Sequence, residues 1–135
     1  MEPSKKHDLY MRIADAVALS SHCKRSKVGC IIVKNDNIIG IGYNGTPSGF
    51  ENDCECNNTT KEEVLHAESN AITKCAKSTI SSDGSIMYCT LMPCFNCAKL
   101  IIQSGIKQVI YKDDYRNKSG IKLLTKANIE VNRYE

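Results

Sequence analysis

Residues 64–72 read VLHAESNAI, and this short stretch sets a histidine and a glutamate two positions apart within an apolar run. The chain has only three histidines, and leucine or alanine would pack better at such a position. His66 and Glu68 therefore indicate a chemical role, which depends on the other groups that the fold brings to them.

A second motif, PCFNC at residues 93–97, supplies those groups. Cys94 and Cys97 are three positions apart at the start of a predicted helix, where their sulfur atoms point the same way. A helix N-terminus favours anions and lowers the pKa of a thiol, so it makes thiolates available at this place.

Two thiolates and one imidazole are three ligands of a tetrahedral zinc ion, so we predict a metal site of His66, Cys94 and Cys97. Three protein ligands leave a fourth position for water, which is typical of catalytic rather than structural zinc. Glu68 is then the predicted catalytic residue, which lies beside that water and moves protons.

Each motif taken alone has a simpler interpretation. A CxxC pair also occurs as a redox pair or as half of a structural zinc site, and a lone histidine in an apolar helix is commonly a core residue. A redox pair normally follows a first strand, whereas this pair comes late in the chain. A structural site needs a fourth ligand and gives Glu68 no role. The joint pattern therefore favours catalytic zinc.

The composition limits the class of protein. The 135 residues suit one domain, and 41% apolar with 24% charged residues is typical of a globular chain. The N-terminal sequence has no signal-peptide core, and no apolar run approaches the ~18 residues of a membrane helix. We therefore expect a cytoplasmic protein with no membrane partner, whose eight cysteines stay reduced and favour metal binding. The net charge of +3 does not by itself indicate a nucleic-acid partner.

Hydrophobic periodicity predicts the element order α-β-β-α-β-α-β-α-β. The hairpin followed by alternating helices and strands predicts an α/β fold, three-layer α-β-α with a five-stranded mixed sheet. The predicted elements are a helix at 7–21, a hairpin at 28–43, a long loop at 44–63, a helix at 65–77, a strand at 84–91, a helix at 93–104, a strand at 106–113, a helix at 117–128 and a strand at 129–134.

The pattern H-x-E followed by P-C-x-x-C resembles the cytidine deaminase superfamily. Within it, the chain is most similar to the deoxycytidylate (dCMP) deaminase family, through the segments SKVGCIIV, GIGYNGTPSG, HAESNAI, TLMPCFNCAKLIIQSGIKQVIY and YRNKSG. The resemblance implies that residues 1–135 form a single zinc-dependent deaminase domain with a cytidine deaminase-like fold. It implies hydrolysis of dCMP to dUMP and ammonia, which supplies thymidylate synthesis.

The resemblance also implies roles for individual residues. Glu68 takes a proton from the water and passes it to the ring nitrogen next to carbon 4. It then shuttles a second proton to the amino group, which leaves as ammonia. The backbone N–H of Ala67 reads the base edge, and Asn44 holds the sugar hydroxyl.

The substrate's phosphate would be bound by Arg25, Ser26 and Lys27, in a basic segment that precedes the first strand; a solvated loop is the alternative. Tyr115 either walls the base and sugar or packs as an ordinary aromatic residue. Three other functions stay open: a deaminase of another cytosine nucleotide or nucleoside, a tRNA adenosine deaminase, and a non-catalytic zinc module. The last of these has no need of Glu68.

The remaining cysteines fall into two groups. Cys30, Cys75 and Cys89 lie in apolar contexts and are predicted core residues. Some members of the family carry a second, structural zinc, and Cys23 and Cys54 match its ligand positions. The histidine-bearing insertion that completes that site is missing, so His22 or Cys56 would have to substitute. The predicted second metal site is therefore His22, Cys23, Cys54 and Cys56.

The resemblance further implies regulation, because in this family dCTP with magnesium commonly activates and dTTP inhibits, within a homo-hexamer. The segment that matches the effector region contains Gly42, Tyr43, Asn44 and Gly45. Its glycines would let the backbone approach a nucleotide closely, and the alternative is that they end a strand and begin a turn.

Overall fold

Five strands form a mixed sheet with helices on both faces, in a computed structural model that describes residues 3–135. The order across the sheet is β2-β1-β5-β6-β7. The elements along the chain are α1 (Pro3–Ala18), β1 (Gly29–Lys34), β2 (Asn37–Tyr43), β3 (Glu55–Cys56), β4 (Thr59–Thr60), α2 (Ala67–Lys77), β5 (Ile86–Leu91), α3 (Phe95–Gln103), β6 (Gln108–Asp113), α4 (Ser119–Lys126) and β7 (Glu130–Arg133).

The strand directions follow from the connections between the strands. β1 and β2 form an antiparallel hairpin, which turns at Asn35 and Asp36 with φ of 51° and 61°, as a two-residue hairpin turn requires. β1 also pairs antiparallel with β5, where Cys30 lies opposite Cys89. β5, β6 and β7 are parallel, since helices connect them. The predicted five-stranded mixed sheet is therefore confirmed.

Each face of the sheet carries its own apolar cluster, which confirms the three-layer prediction. In β1, Ile31 and Val33 pack with Tyr10 and Met11 of α1 on one face. Cys30 and Ile32 pack on the other face, where α2, α3 and α4 lie. Successive side chains of β1 thus pack into the apolar clusters on opposite faces of the sheet, which explains why the strand is apolar without alternation.

The helices begin at different residues from those predicted. α1 begins at Pro3 rather than at residue 7, and it ends at Ala18. α2 begins at Ala67 rather than at residue 65, and α3 begins at Phe95 rather than at residue 93. None of the helices between residues 3 and 135 combines the length and apolar character that a membrane crossing requires.

The predicted loop at 44–63 contains a short hairpin, β3–β4, that the sequence analysis missed. Glu55 pairs with Thr60 and Cys56 with Thr59, and the turn lies at Asn57 and Asn58, both with positive φ. Strands of two polar residues show no measurable alternation, so periodicity cannot detect them. The hairpin lies beside the site described below.

Candidate active site and metal centre

The N-termini of α2 and α3 present the three predicted metal ligands. His66 and Cys94 are the N-cap residues of these helices, with extended backbone at ψ of 159° and 173°. Neither side chain makes a capping hydrogen bond. Cys97 lies in the first turn of α3. The two cap residues thus lie just outside the helices, a correction to the predicted helix bounds.

The three donor atoms lie close together. The Nδ1 atom of His66 is 3.3 Å from the Sγ atom of Cys97 and 3.5 Å from that of Cys94. All three donors lie within 4.8 Å of one another. Zinc bonds of about 2.3 Å to sulfur and about 2.0 Å to nitrogen need donors at this kind of separation. The residues therefore fit a zinc ion in both chemistry and distance.

Hydrogen bonding gives the thiols of Cys94 and Cys97 different pKa values. The side-chain hydrogen bond with Cys97 lowers the pKa of Cys94 to about 3. The same bond, with burial, raises the pKa of Cys97. The hydrogen bond with Cys94 raises the pKa of His66. The lowered pKa of Cys94 favours its thiolate, the form that binds a metal, and a bound cation would displace the protons of the other ligands.

Glu68 lies in the first turn of α2 with only 4% of its surface exposed. Burial raises its pKa to about 7, although the neighbouring His66 acts in the opposite direction. A carboxyl group with this pKa can both accept and release a proton near neutrality, which a general acid–base residue must do.

A cavity of about 290 Å³ opens beside Glu68 and the metal donors. It brings together most residues of the predicted substrate site: Arg25, Ser26, Asn44, Ala67 and Tyr115. The sequence analysis missed other residues of its wall, namely Val28, Glu55, Thr60, Val64, Leu91 and Met92. No catalytic or metal-binding motif singles out these residues, because they occupy ordinary strand and loop positions.

The side chain of Asn44 forms hydrogen bonds that link the basic segment before β1 to the end of β2. Its Oδ1 atom accepts the backbone N–H of Val28 at 2.9 Å, and its Nδ2 atom donates to the backbone oxygen of Ser26 at 2.7 Å. A primary amide has a second N–H and a second lone pair, so one donor remains for a ligand in the cavity. Asn44 therefore shapes the wall of the cavity as well as contributing to its lining.

Lys27 departs from the predicted phosphate-binding set. Its Nζ atom donates to the backbone oxygen of Ser21, and the residue does not line the cavity within the described part of the chain. Arg25 and Ser26 do line it. Sequence position alone could not separate these three neighbours, because the direction of each side chain depends on the path of the loop.

The predicted effector segment lines a second cavity of about 190 Å³, which contains Tyr43, Asn44 and Gly45. Gly42 is absent from its lining in residues 3–135. A Cβ atom at Gly42 would lie 2.2 Å from the backbone oxygen of Ala67, so this glycine allows α2 to approach β2. The structure thus gives Gly42 a packing role between α2 and β2.

Cys23 and Cys54 form a disulfide, which corrects both the expectation of reduced thiols and the predicted second metal site. Disulfide sulfurs have no thiolate to offer a metal. The other donor group beside this pair is Glu55, not His22 or Cys56. Cys56 is exposed with a free thiol. Two cysteines that the fold brings together can either form a disulfide or bind a metal. Sequence positions alone therefore cannot distinguish a disulfide from a metal site.

The other three cysteines are core residues, as predicted. Cys30, Cys75 and Cys89 are buried, and burial raises the pKa of each thiol. The Sγ atoms of Cys30 and Cys89 lie 3.8 Å apart across the sheet. Such thiols act as small apolar side chains.

The sequence profile described as "Cytidine and deoxycytidylate deaminase zinc-binding region" matches residues 4–113. The deoxycytidylate deaminase of Saccharomyces cerevisiae is 33% identical over 136 residues, covering 93% of this chain and 43% of that protein. The deoxycytidylate deaminase of Enterobacteria phage T4 is 34% identical over 170 residues, covering 93% of this chain and 88% of that protein. The chain thus spans less than half of the length of the yeast relative.

A solved structure shows the same fold throughout. The dCMP deaminase from the cyanophage S-TIM5, in complex with dCMP and dUMP, is 47% identical and superimposes with a TM-score of 0.94. The superposition covers 98% of this chain and 98% of that one. It therefore includes the sheet, both metal-ligand helices and the loops around the cavity.

Proposed function

The chain belongs to the deoxycytidylate deaminase family of the cytidine deaminase superfamily, and from this premise we propose that it hydrolyses dCMP to dUMP and ammonia. One observation carries the proposal. A single cavity is lined by a buried carboxyl group, by two of the three clustered zinc-type donors and by an arginine that suits a phosphate. Residues 1–135 would act as one catalytic domain in the supply of dUMP for thymidylate synthesis.

The reaction adds water at carbon 4 of the cytosine ring and releases the amino group as ammonia. His66, Cys94 and Cys97 would hold zinc, which supplies Lewis-acid activation of water when bound. Glu68 accepts one proton from the attacking water and delivers it to the ring nitrogen next to carbon 4, which keeps it in the product. It then takes the second proton of that water from the new hydroxyl on carbon 4 and passes it to the amino group, which leaves as ammonia. Its raised pKa, near 7, suits both directions of transfer.

The other residues of the cavity orient the nucleotide. The backbone N–H of Ala67 faces the base edge, and the free donor of Asn44 reaches the sugar hydroxyl. Tyr115 and Leu91 give the base an apolar wall, and Arg25 with Ser26 binds the phosphate. An arginine suits this last role because its planar group donates several hydrogen bonds to phosphate oxygens.

A substrate panel tests the proposal. Purified, zinc-loaded protein is offered dCMP, CMP, deoxycytidine, guanine and tRNA, and both ammonia release and the change in ultraviolet absorbance are followed. We expect dCMP to be preferred strongly over deoxycytidine. Absence of dCMP deamination would refute the proposed reaction, and equal use of dCMP and deoxycytidine would refute phosphate recognition.

An Arg25→Ala variant sharpens the phosphate assignment. It should lower kcat/KM for dCMP by about tenfold to a hundredfold, because it removes hydrogen bonds to a charged group. The value for deoxycytidine should stay unchanged. Lys24→Ala is the matched control, since Lys24 is an exposed neighbouring cation that does not line the cavity. Similar losses in both variants would point to general electrostatic attraction.

The second cavity supports a regulatory function. We propose that it binds dCTP with magnesium as activator and dTTP as inhibitor, in a homo-hexamer. Asn44 lines both cavities, so a nucleotide that moves the 43–45 backbone would also move a contact of the substrate. The rate curve against dCMP should be sigmoidal alone, hyperbolic with dCTP and magnesium, and suppressed by dTTP. Hyperbolic kinetics that ignore both triphosphates, in a protein that elutes as a monomer or dimer, would refute regulation alone.

A further inference from the structure

The β3–β4 hairpin forms hydrogen bonds with the backbone at Arg25, the residue that is proposed to bind the phosphate. The Glu55 carboxylate accepts the backbone N–H of Lys24 at 3.1 Å from Oε2 and at 3.3 Å from Oε1. Its Oε2 atom also accepts the backbone N–H of Arg25 at 3.2 Å. Two consecutive N–H groups directed at one carboxylate fix the orientation of both peptide planes.

The same hairpin also holds the side chain of Arg25. The Nη1 atom of Arg25 donates to the Oγ1 atom of Thr60 at 3.3 Å. Glu55 and Thr60 lie directly opposite each other as a cross-strand pair. One pair of residues thus constrains both the main chain and the guanidinium group of Arg25.

The charge of Arg25 nevertheless remains available. Within residues 3–135, Glu55 and Arg25 form no ion pair, because the carboxylate binds backbone N–H groups instead of the guanidinium. Thr60 is a neutral acceptor and occupies one of the five N–H donors of the guanidinium. Arg25, Glu55 and Thr60 all line the same cavity as Glu68. A dianion entering this cavity would therefore meet an oriented but unneutralised cation.

We propose that Glu55 and Thr60 are positioning residues that hold Arg25 for the 5′-phosphate of the substrate. The inference rests on the proposed function and adds a determinant of substrate selection outside the metal site. Glu55 acts through the backbone of residues 24 and 25, and Thr60 acts through the guanidinium. The hairpin therefore decides how strongly the enzyme distinguishes a nucleotide from its nucleoside.

The test compares kcat/KM for dCMP with kcat/KM for deoxycytidine in Glu55→Ala and Thr60→Val. Each variant should lower the preference for dCMP by about fivefold, the magnitude expected for exposed polar contacts. The value for deoxycytidine and the zinc content should stay unchanged. Thr60→Ser should restore the preference, since it returns the hydroxyl. In an Arg25→Ala background, Thr60→Val should have no further effect on the preference, because the two residues act as a unit.

Glu63→Ala is the matched control. It removes one negative charge from the same segment, and the Glu63 side chain is exposed and makes no hydrogen bond or ion pair in the described part of the chain. It should leave the preference for dCMP unchanged. A fivefold loss in this control would attribute the effect to net charge and overturn the inference.

Four other outcomes would overturn it. A rise in kcat/KM for dCMP in Glu55→Ala would mean that the carboxylate blocks the phosphate position. Equal losses on both substrates would mean that the hairpin has only a structural role. An unchanged preference in both variants, in an enzyme that still prefers dCMP, would refute positioning while the proposed function stands. A wild-type protein that deaminates no cytosine nucleotide would refute the proposed function itself and the inference with it.

Discussion

The two walls of the active-site cavity are held in place by different forces. The metal wall, made of His66, Glu68, Cys94 and Cys97, lies at the start of two helices that pack on the sheet. The substrate wall, made of residues 23–28 and the β3–β4 hairpin, is largely exposed. It is held by hydrogen bonds and a disulfide between loops about thirty residues apart.

The packing behind the metal wall leaves little freedom. A Cβ atom on Gly120 would lie 2.4 Å from the backbone oxygen of Pro93 and 2.8 Å from the backbone of Cys94. The start of α4 therefore supports Cys94, a proposed metal ligand, directly. Cores this dense resist displacement, whereas exposed polar contacts contribute little each. The difference implies that substitutions in the metal wall remove the chemistry, and substitutions in the substrate wall change which molecule is used.

The largest expected effect comes from Glu68→Gln, which tests the metal wall. Glutamine keeps the shape of the side chain but cannot transfer a proton, so kcat should fall by about 10²–10⁴-fold. Zinc content should remain at one ion per chain, because the three donors are intact. Turnover of dCMP and metal analysis on the same preparation measure both quantities.

Cys97→Ser provides the contrast to Glu68→Gln. It removes a donor and should lower both zinc content and activity together. Full activity in Glu68→Gln would contradict the assigned proton transfer, and zinc loss in that variant would assign Glu68 to the metal instead.

An intermediate effect is expected for Gly120→Ala, which tests whether packing holds the metal wall. The new methyl group must displace the backbone at Cys94, so zinc affinity should fall by about tenfold, as for other residues that support metal ligands. Competition with a chelator measures the affinity. Gly45→Ala is the control, because a Cβ atom there meets nothing within 4 Å. Equal zinc affinity in Gly120→Ala and the wild type would show that α4 does not support the site.

The smallest effect on catalysis is expected for the double variant Cys23→Ser with Cys54→Ser, which loosens the substrate wall. It should lower the free energy of unfolding by about 3 kcal/mol through loss of the cross-link, measured by chemical denaturation. The zinc content of one ion per chain and kcat should stay unchanged, while KM for dCMP rises. A second zinc in the reduced wild type, lost in this variant, would instead restore the predicted second metal site.

The sequence predicted the metal wall better than the substrate wall. The motifs HAE and PCxxC singled out three residues whose donor atoms the structure brings together, with Glu68 beside them, since metal chemistry accepts few residue types and the spacing is short. In the substrate wall, Arg25 and Ser26 line the cavity, but Lys27 turns to Ser21, and Glu55 and Thr60 were missed. The positions of these side chains depend on the path of an irregular loop, and such a loop has no hydrophobic periodicity from which its path could be predicted.

The sequence by itself determined the five strands and four helices of the main sheet and its two layers, and it singled out the residues proposed as metal donors and acid–base residue, because periodicity and motif chemistry are local properties. Only the tertiary structure decided that His66 and Cys94 are N-caps, that Gly42 admits α2, and that Cys23 bonds to Cys54. Each of these depends on contacts between residues far apart in the chain. Such contacts are chosen by packing and loop closure, for which neighbouring residues carry no signal.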